Sequence, residues 1–248
     1  MKDNKLIELQ NIIYNSKNPT RKYMHNQRKD YITKIIHNLD IDYNTALEIG
    51  PGSGIYLKYL SDKFKNVIAI DIEKEYLNNI NKSNFNNLEL IIDDIKNTKL
   101  KKNKFDFILC TEVLEHITDT DKVLHNIKSI LKPGGVLLLT TPQKYSPLEV
   151  CSKIAYLPGI IKIIEFIYNE PILDAGHINL KTHSELLRII NDVGFRVVRL
   201  DKISLYLPLI AEFGGTKGLK LEKYLAKRIK GTKLEFLLWT QCFVLKKV

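Results

Sequence analysis

Ala46-Leu47-Glu48-Ile49-Gly50-Pro51-Gly52-Ser53-Gly54 is the stretch on which the fold turns. It reads as a short buried strand running into a glycine-rich turn, with a carboxylate two residues ahead of the first glycine. Glycines at 50, 52 and 54 permit positive φ and close approach, so a ligand can lie directly against the main chain. The following Ile55-Tyr56-Leu57-Lys58-Tyr59-Leu60 has helical character and puts the turn at a helix N-terminus. An ordinary strand-to-helix turn needs neither three glycines nor a carboxylate at this spacing. The pattern is G-x-G-x-G, distinct from the G-x-G-x-x-G of nicotinamide dinucleotide sites.

Four further stretches follow in order. Asn66-Val67-Ile68-Ala69-Ile70 is an apolar strand ending at Asp71, where a carboxylate can bridge the two hydroxyls of a ribose, as the acid after the second strand of a dinucleotide fold does. Leu88-Glu89-Leu90-Ile91-Ile92 ends at Asp93-Asp94-Ile95. Phe105-Asp106-Phe107-Ile108-Leu109-Cys110 leads into Thr111-Glu112-Val113-Leu114-Glu115-His116. Leu131-Lys132-Pro133-Gly134-Gly135 precedes Val136-Leu137-Leu138-Leu139-Thr140-Thr141-Pro142.

These five ordered stretches, across residues 46–142, resemble the class I S-adenosylmethionine-dependent methyltransferases, with the glycine turn as that family's motif I. The resemblance implies an α/β fold with a seven-stranded Rossmann-like sheet. Strands 1–6 would be parallel and strand 7 antiparallel, inserted between strands 5 and 6, with helices on both faces and a helical lid insertion. It also implies S-adenosyl-L-methionine as cofactor, bound at Glu48, Gly50, Gly52, Gly54, Asp71, Ile72, Asp94, Ile95 and Thr111. Asp71 would hold the ribose, Asp94 would lie near the adenine amino group and Ile95 against the ring.

The 248 residues suffice for one α/β core with additions, and the 44% apolar content is that of a globular chain. Pro158, Gly159, Lys162 and Glu165 interrupt the longest apolar run, so no transmembrane segment is expected. Met1-Lys2-Asp3-Asn4-Lys5 lacks the apolar region of a signal peptide. Cys110, Cys151 and Cys242 form neither a disulfide framework nor a zinc pattern. A reduced, cytoplasmic protein is expected. The formal charge of +10 concentrates at Lys96, Lys99, Lys101, Lys102 and Lys104, and again at Lys220, Lys223, Lys227 and Lys230. The second group recurs at helical spacing opposite Leu221, Tyr224, Leu225 and Ile229. Such a basic amphipathic helix suits peripheral contact with an anionic membrane, while a lysine surplus of this kind also reads as a solvated surface.

One domain is expected, as an N-terminal helical cap (1–44), a cofactor-binding core (45–142), a lid insertion (143–181) and the C-terminal part of the sheet (182–248). Tyr31, Ile32, Ile35, Ile36 and Leu39 mark an amphipathic helix over 20–39. Strands are expected near 45–49, 66–70, 88–92, 105–110, 135–141, 195–200 and 236–245. Val123, Leu124, Ile127, Ile130 and Leu131 share a helix face that starts at Thr118-Asp119. Thr182 and Glu185 read as a capping box for a helix closed by Gly194. Alternating strands and helices imply a parallel sheet covered on both sides.

Methyl transfer is an in-line displacement on a sulfonium already activated by its charge, so the protein must chiefly align the nucleophile and exclude water. A general base is required only for a weakly acidic hydroxyl or a protonated amine. The Asn/Asp-Pro-Pro-Tyr/Phe motif of enzymes that methylate exocyclic amino groups is replaced by Cys110-Thr111-Glu112-Val113, and no Pro-Cys nucleophile occurs. Nucleobase methylation is therefore disfavoured, and Cys110 reads as a packed residue.

Glu112, Glu115 and His116 would share one face if the segment is helical, a donor set for a divalent cation such as magnesium. Similar Glu-x-x-Glu-His segments ligate metal in ubiquinone-biosynthesis O-methyltransferases and in small-RNA 3′-terminal 2′-O-methyltransferases, where a later histidine completes the site. Here that histidine would be His177. The same segment also occurs in methyltransferases not known to need a metal, which leaves His116 open as a catalytic or a packed group and His177 as a base or acceptor-positioning group or a loop histidine facing water. In the lid, Leu148, Cys151, Ile154 and Ala155 form one apolar face, and Ile160, Ile161, Ile163, Ile164, Phe166, Ile167 and Tyr168 a mostly aliphatic stripe. This surface either packs onto the sheet or a partner subunit, or offers an apolar acceptor or a membrane surface a wall better suited to it than to bases. The expectation is a methyltransferase of a small hydrophobic metabolite, acting at oxygen. An RNA 2′-O-methyltransferase and a non-catalytic adenosyl-ligand-binding protein are the alternatives.

Overall fold

The computed structural model describes residues 14–155 and 176–248. Strands β1 (Thr45–Ile49), β2 (Asn66–Asp71), β3 (Leu88–Ile92), β4 (Phe105–Thr111), β5 (Leu131–Pro142), β6 (Phe195–Ile203) and β7 (Thr240–Lys247) form one sheet in the order β3-β2-β1-β4-β5-β7-β6. The pairs β1–β2, β1–β4, β2–β3 and β4–β5 are parallel, whereas β7 runs antiparallel to both β5 and β6. This is the expected arrangement. The strand order reverses between β1 and β4, so their carboxyl ends border the crevice where such sheets take ligands.

Sequence and burial agree along the central strands. All seven residues of β4 are buried, five of them apolar or thiol, as a strand covered on both faces demands, with Asp106 satisfied by the Thr45 amide and Lys132. Alternate side chains feed two cores. Leu47, Ile49, Ile68, Ile70 and Ile108 pack beneath α4 (Thr120–Ile130) and α6 (His183–Val193). Ala46, Val67, Ala69, Phe107 and Leu109 pack beneath α1 (Pro19–His37) and α2 (Leu57–Lys63). Asp119 caps α4 by accepting from the Lys122 amide, and α6 carries the reciprocal Thr182–Glu185 capping box and ends at Gly194 with φ of 82°. Asn18 and Pro19 start α1, whose inner face carries Met24, Arg28, Ile32 and Ile35. Short α3 (Lys74–Asn78) follows β2.

Several expectations need correction. β5 begins at Leu131, ahead of the expected 135, with an irregular register opposite Phe105 and Phe107. β7 begins at Thr240, not 236, because Thr232 caps a 3-10 turn at Lys233–Leu237. The insertion opens with α5 (Pro147–Ala155), on which Leu148 packs inward while Cys151 and Ile154 face solvent. Leu148, Cys151, Ile154 and Ala155 thus do not share one buried face. The apolar stripe at 160–168, with Ile164 and Ile167, lies outside the described residues, as do residues 1–13. Two helices, α7 (Pro208–Phe213) and α8 (Gly215–Ile229), precede β7. Leu221 and Tyr224 stand on the cationic outer face of α8 and not opposite the lysines; Gly218 and Glu222 are its buried residues. Among the described residues, no helix is long and apolar enough to cross a membrane.

Candidate active site

The glycine turn joins β1 to α2 at the crevice. Gly50 has φ of 66°, and a Cβ there would stand 2.7 Å from Val113 Cγ2, so the loop after β4 closes directly onto the turn. Gly54 has φ of 75°, and a Cβ there would meet Leu57 at 3.1 Å. The Gly50 amide donates to the Ile70 carbonyl at 2.9 Å, tying the turn to the end of β2.

Glu48 is buried, and neither carboxylate oxygen has a protein partner. Burial pushes its carboxyl up to about 8. An orphaned acid of this kind fits a cationic ligand that supplies the missing donor. It also makes stability depend on pH. The folded protein holds a proton at Glu48 that the unfolded chain, at the ordinary value of 4.5, releases. The associated stability is complete below about pH 4.5 and is lost as pH rises through about 8. In cofactor-free protein at about pH 8, Glu48→Gln is expected to raise unfolding stability by about 2–4 kcal/mol, at ~1.4 kcal/mol per pKa unit, with a much smaller gain near pH 5. Equal urea midpoints at the higher pH would refute this.

Asp71 ends β2, its carboxyl raised by burial, and one oxygen accepts from the Glu73 amide at 2.9 Å. Ile72 beside it is 65% exposed. Asp94 caps a 3-10 turn at Ile95–Asn97, accepting from the Lys96 amide at 2.8 Å and the Asn97 side chain at 3.1 Å. Ile95 is packed into the core. Thr111 closes β4 opposite Thr140. Cys110 is fully buried and its thiol is raised by burial, an inert packing residue as expected.

After β4 the chain departs from the helical spacing read in the sequence. Glu112 has φ of 54°, and only Leu114–His116 form a 3-10 turn. A left-handed residue cannot continue a helix, so Glu112 stays near Glu115 but outside the group that Glu115 and His116 form. It meets the buried Arg28 of α1, with Nη1 2.5 Å from Oε2, and accepts from the Thr140 hydroxyl at 3.0 Å. Burial opposes the Arg28 charge, but Glu112, then Tyr14 and Tyr56, hold that guanidinium in its charged form. The same guanidinium lies 5.3 Å from the centre of the Trp239 ring. Sequence reading missed Arg28, although an arginine on the stripe Met24–Arg28–Ile32–Ile35 is the signal of a buried ion pair.

The other three expected ligands do gather. Donor atoms of Glu115, His116 and His177 all lie within 4.8 Å of one another. The Ile178 and Asn179 amides donate to the Glu115 carbonyl, drawing the end of the insertion onto the β4 loop. Glu115 is fully buried; Oε2 accepts from Thr141 at 3.0 Å, while Oε1 has no partner. Burial, then the neighbouring Glu112, raises its carboxyl to about 8. His116 Nδ1 donates to the Gly176 carbonyl at 3.0 Å, and burial lowers this imidazole below its ordinary value. His177 Nδ1 donates to Glu149 Oε2 at 3.0 Å, and Glu149 Oε1 accepts from Trp239 Nε1 at 2.9 Å. Burial would lower His177, but the Glu149 hydrogen bond and charge outweigh it and raise the imidazole. With both Nδ1 atoms engaged, each ring presents Nε2. Glu149 and Trp239 were not legible as site residues, since neither lies in a motif.

A family model for a methyltransferase domain matches residues 22–200. The ubiquinone biosynthesis O-methyltransferase of Rickettsia typhi (strain ATCC VR-144 / Wilmington) is 28% identical over 189 residues, which cover 70% of this chain and 69% of that one. The ribosomal RNA small subunit methyltransferase A of Mycoplasmopsis synoviae (strain 53) is 30% identical over 173 residues, covering 62% and 65%. The solved structure of magnesium protoporphyrin IX methyltransferase from Synechocystis PCC 6803 with bound SAH shares the fold, with a TM-score of 0.66 over 99% of this chain and 96% of that one at 14% identity. With the glycine turn, the strand order and the match over residues 22–200 in agreement, the chain belongs to the methyltransferase-domain family and is a class I S-adenosylmethionine-dependent methyltransferase.

Proposed function

We propose that this methyltransferase modifies a hydroxyl oxygen of a small, amphipathic metabolite, with His177 as the base. The observation that carries the proposal is the Glu149–His177 pair, in which Nδ1 is held by a carboxylate at 3.0 Å and Nε2 is left to take a proton. A base so oriented serves a hydroxyl acceptor and is superfluous for a neutral amine or thiolate. The relative from Rickettsia typhi, an O-methyltransferase by name, supports the same reading.

S-adenosylmethionine, when bound, supplies an electrophilic methyl group on a sulfonium. The chain's part is to hold it and to align the acceptor. The backbone from Gly50 to Gly54 would lie against the cofactor, the two unpartnered Glu48 oxygens would receive its ammonium, and Asp71 would accept from the ribose hydroxyls. Asp94 would serve the adenine end, where it keeps acceptor capacity because a carboxylate has about four lone-pair directions, with Ile95 beside it, and Ile72 and Thr111 would complete the cofactor contacts. Asp71→Ala is expected to weaken S-adenosylhomocysteine about ten- to a hundredfold, the loss of charge-assisted hydrogen bonds. Calorimetric titration with unchanged affinity would remove Asp71 from the set.

A divalent cation held by Glu115, His116 and His177 is a second reading, favoured by the orphaned Glu115 oxygen and the two available Nε2 atoms. The carboxylate behind His177 is the orienting contact that metal-bound histidines use. In that case the cation would bind the acceptor oxygen and favour its ionised form, and chelator would abolish turnover. The acceptor class is tested by incubating purified protein and methyl-labelled cofactor with a cell extract. Label in a small apolar product supports the proposal. Label in RNA alone would overturn it in favour of a polynucleotide substrate, and cofactor binding without any labelled product would indicate a non-catalytic protein.

A further inference from the structure

Helix α8 presents an outer face made of Lys217, Lys220, Lys223, Lys227 and Arg228, with Leu221 and Tyr224 among them. Those two are 45% and 55% exposed, and the Arg228 guanidinium stands 5.3 Å from the Tyr224 ring centre. The stretch from Pro208 to Gly231 contains two acids, and both are engaged inward. Glu212 pairs with Arg21 at 2.6 Å and accepts from Asn18 at 3.1 Å, and buried Glu222 accepts from the Leu207 amide at 2.7 Å. The outer face thus carries no free acid and has two apolar side chains at its centre; of its cations Lys223 has an internal partner, its Nζ standing 4.2 Å from the centre of the Tyr23 ring on α1.

Helix stability does not account for this pattern. Lys217 sits in the first turn, where a positive charge opposes the helix dipole; only Lys227 and Arg228 lie where the dipole favours cations. Lys223 and Lys227 are like charges one turn apart, a mildly destabilising spacing. A face serving solubility alone would intersperse both signs. The arrangement calls for an external anionic surface. The Leu221–Tyr224 pair adds the means to enter an interfacial layer, with lysine stems extending the apolar contact. A single convex stripe with one central aromatic lacks the groove and stacking platforms that single-stranded nucleic acid requires.

We propose that α8 docks the protein on a bilayer rich in anionic phospholipid, lying in the plane of the headgroups. Because α8 packs on α1, which carries Arg28 into the site, docking would hold the crevice near the membrane surface. This holds whichever acceptor is methylated.

The test is co-sedimentation of the full chain with phosphatidylcholine vesicles, with and without phosphatidylglycerol. Binding is expected only with the anionic lipid, weakening as salt screens the charges. Lys220→Glu with Lys227→Glu is expected to reduce partitioning at least about tenfold. Leu221→Ser with Tyr224→Ser is expected to leave a weaker, fully salt-reversible association. These side chains are exposed, and an unchanged affinity for S-adenosylhomocysteine verifies that each variant is folded. Failure of the wild type to bind anionic vesicles would overturn the proposal, as would indifference to the charge reversals. Displacement from vesicles by RNA that binds more tightly through the same lysines would overturn it in favour of a nucleic-acid surface.

Discussion

His177→Ala is expected to lower kcat by about 10²–10⁴-fold while changing S-adenosylhomocysteine affinity by less than about threefold. The imidazole is held through Nδ1 by Glu149, which is fixed in turn by the Trp239 indole, so its removal deletes a positioned base and leaves the glycine turn intact. The base acts only when neutral. Glu149 raises its pKa above the ordinary 6.5, so wild-type kcat should climb as pH rises through a value above 6.5. Glu149→Gln removes the stabilising charge; the ascending limb should move to lower pH, and the maximal rate should fall as ring orientation loosens. Steady-state kinetics on the identified acceptor decide the matter. A His177→Ala enzyme with wild-type kcat would eliminate the base.

The largest effect on stability is expected at Arg28→Met, about 3 kcal/mol or more, because it leaves Glu112 beside the core without its counter-charge. Adding Glu112→Leu should restore most of the loss, since an ion pair replaced by apolar groups of similar size costs far less than a pair broken on one side. Urea unfolding provides the measure, as a shift of midpoint at constant slope. If the single variant unfolds at the wild-type midpoint, Arg28 contributes no net stabilisation and its burial serves the site alone.

What could be read from the residues follows from how local the cause is. The turn at Gly50–Gly54, the Asp119 cap and the Thr182–Glu185 box are set by neighbours within a few positions, and each is formed as expected. The sheet order came from the family resemblance, because alternating elements limit the choices without fixing where β7 inserts. Phe236 and Leu237, the end of the 3-10 turn, read as strand, since a short apolar run suits either conformation.

The site was legible in part for the same reason. Glu115, His116 and His177 meet because Ile178 and Asn179 bond to the Glu115 carbonyl. Glu112 does not join them because of one left-handed backbone angle, which no spacing argument foresees. Arg28, Glu149 and Trp239 come from three distant elements whose meeting is purely tertiary.

The antiparallel seventh strand also bears on how the molecule is made. β5 and β6 do not touch as neighbours; β7 alone joins them, and it is the last of the seven to leave the ribosome. One edge of β5 and the inner edge of β6 therefore wait until Thr240–Lys247 have emerged, whereas β1 to β5 have all their mutual contacts earlier. Trp239 arrives with that strand and brings the hydrogen bond that fixes Glu149. A nascent chain thus has the strands around the glycine turn in place before the Trp239–Glu149 bond behind His177 can form, and if His177 is the base proposed above, competence arrives with the last strand.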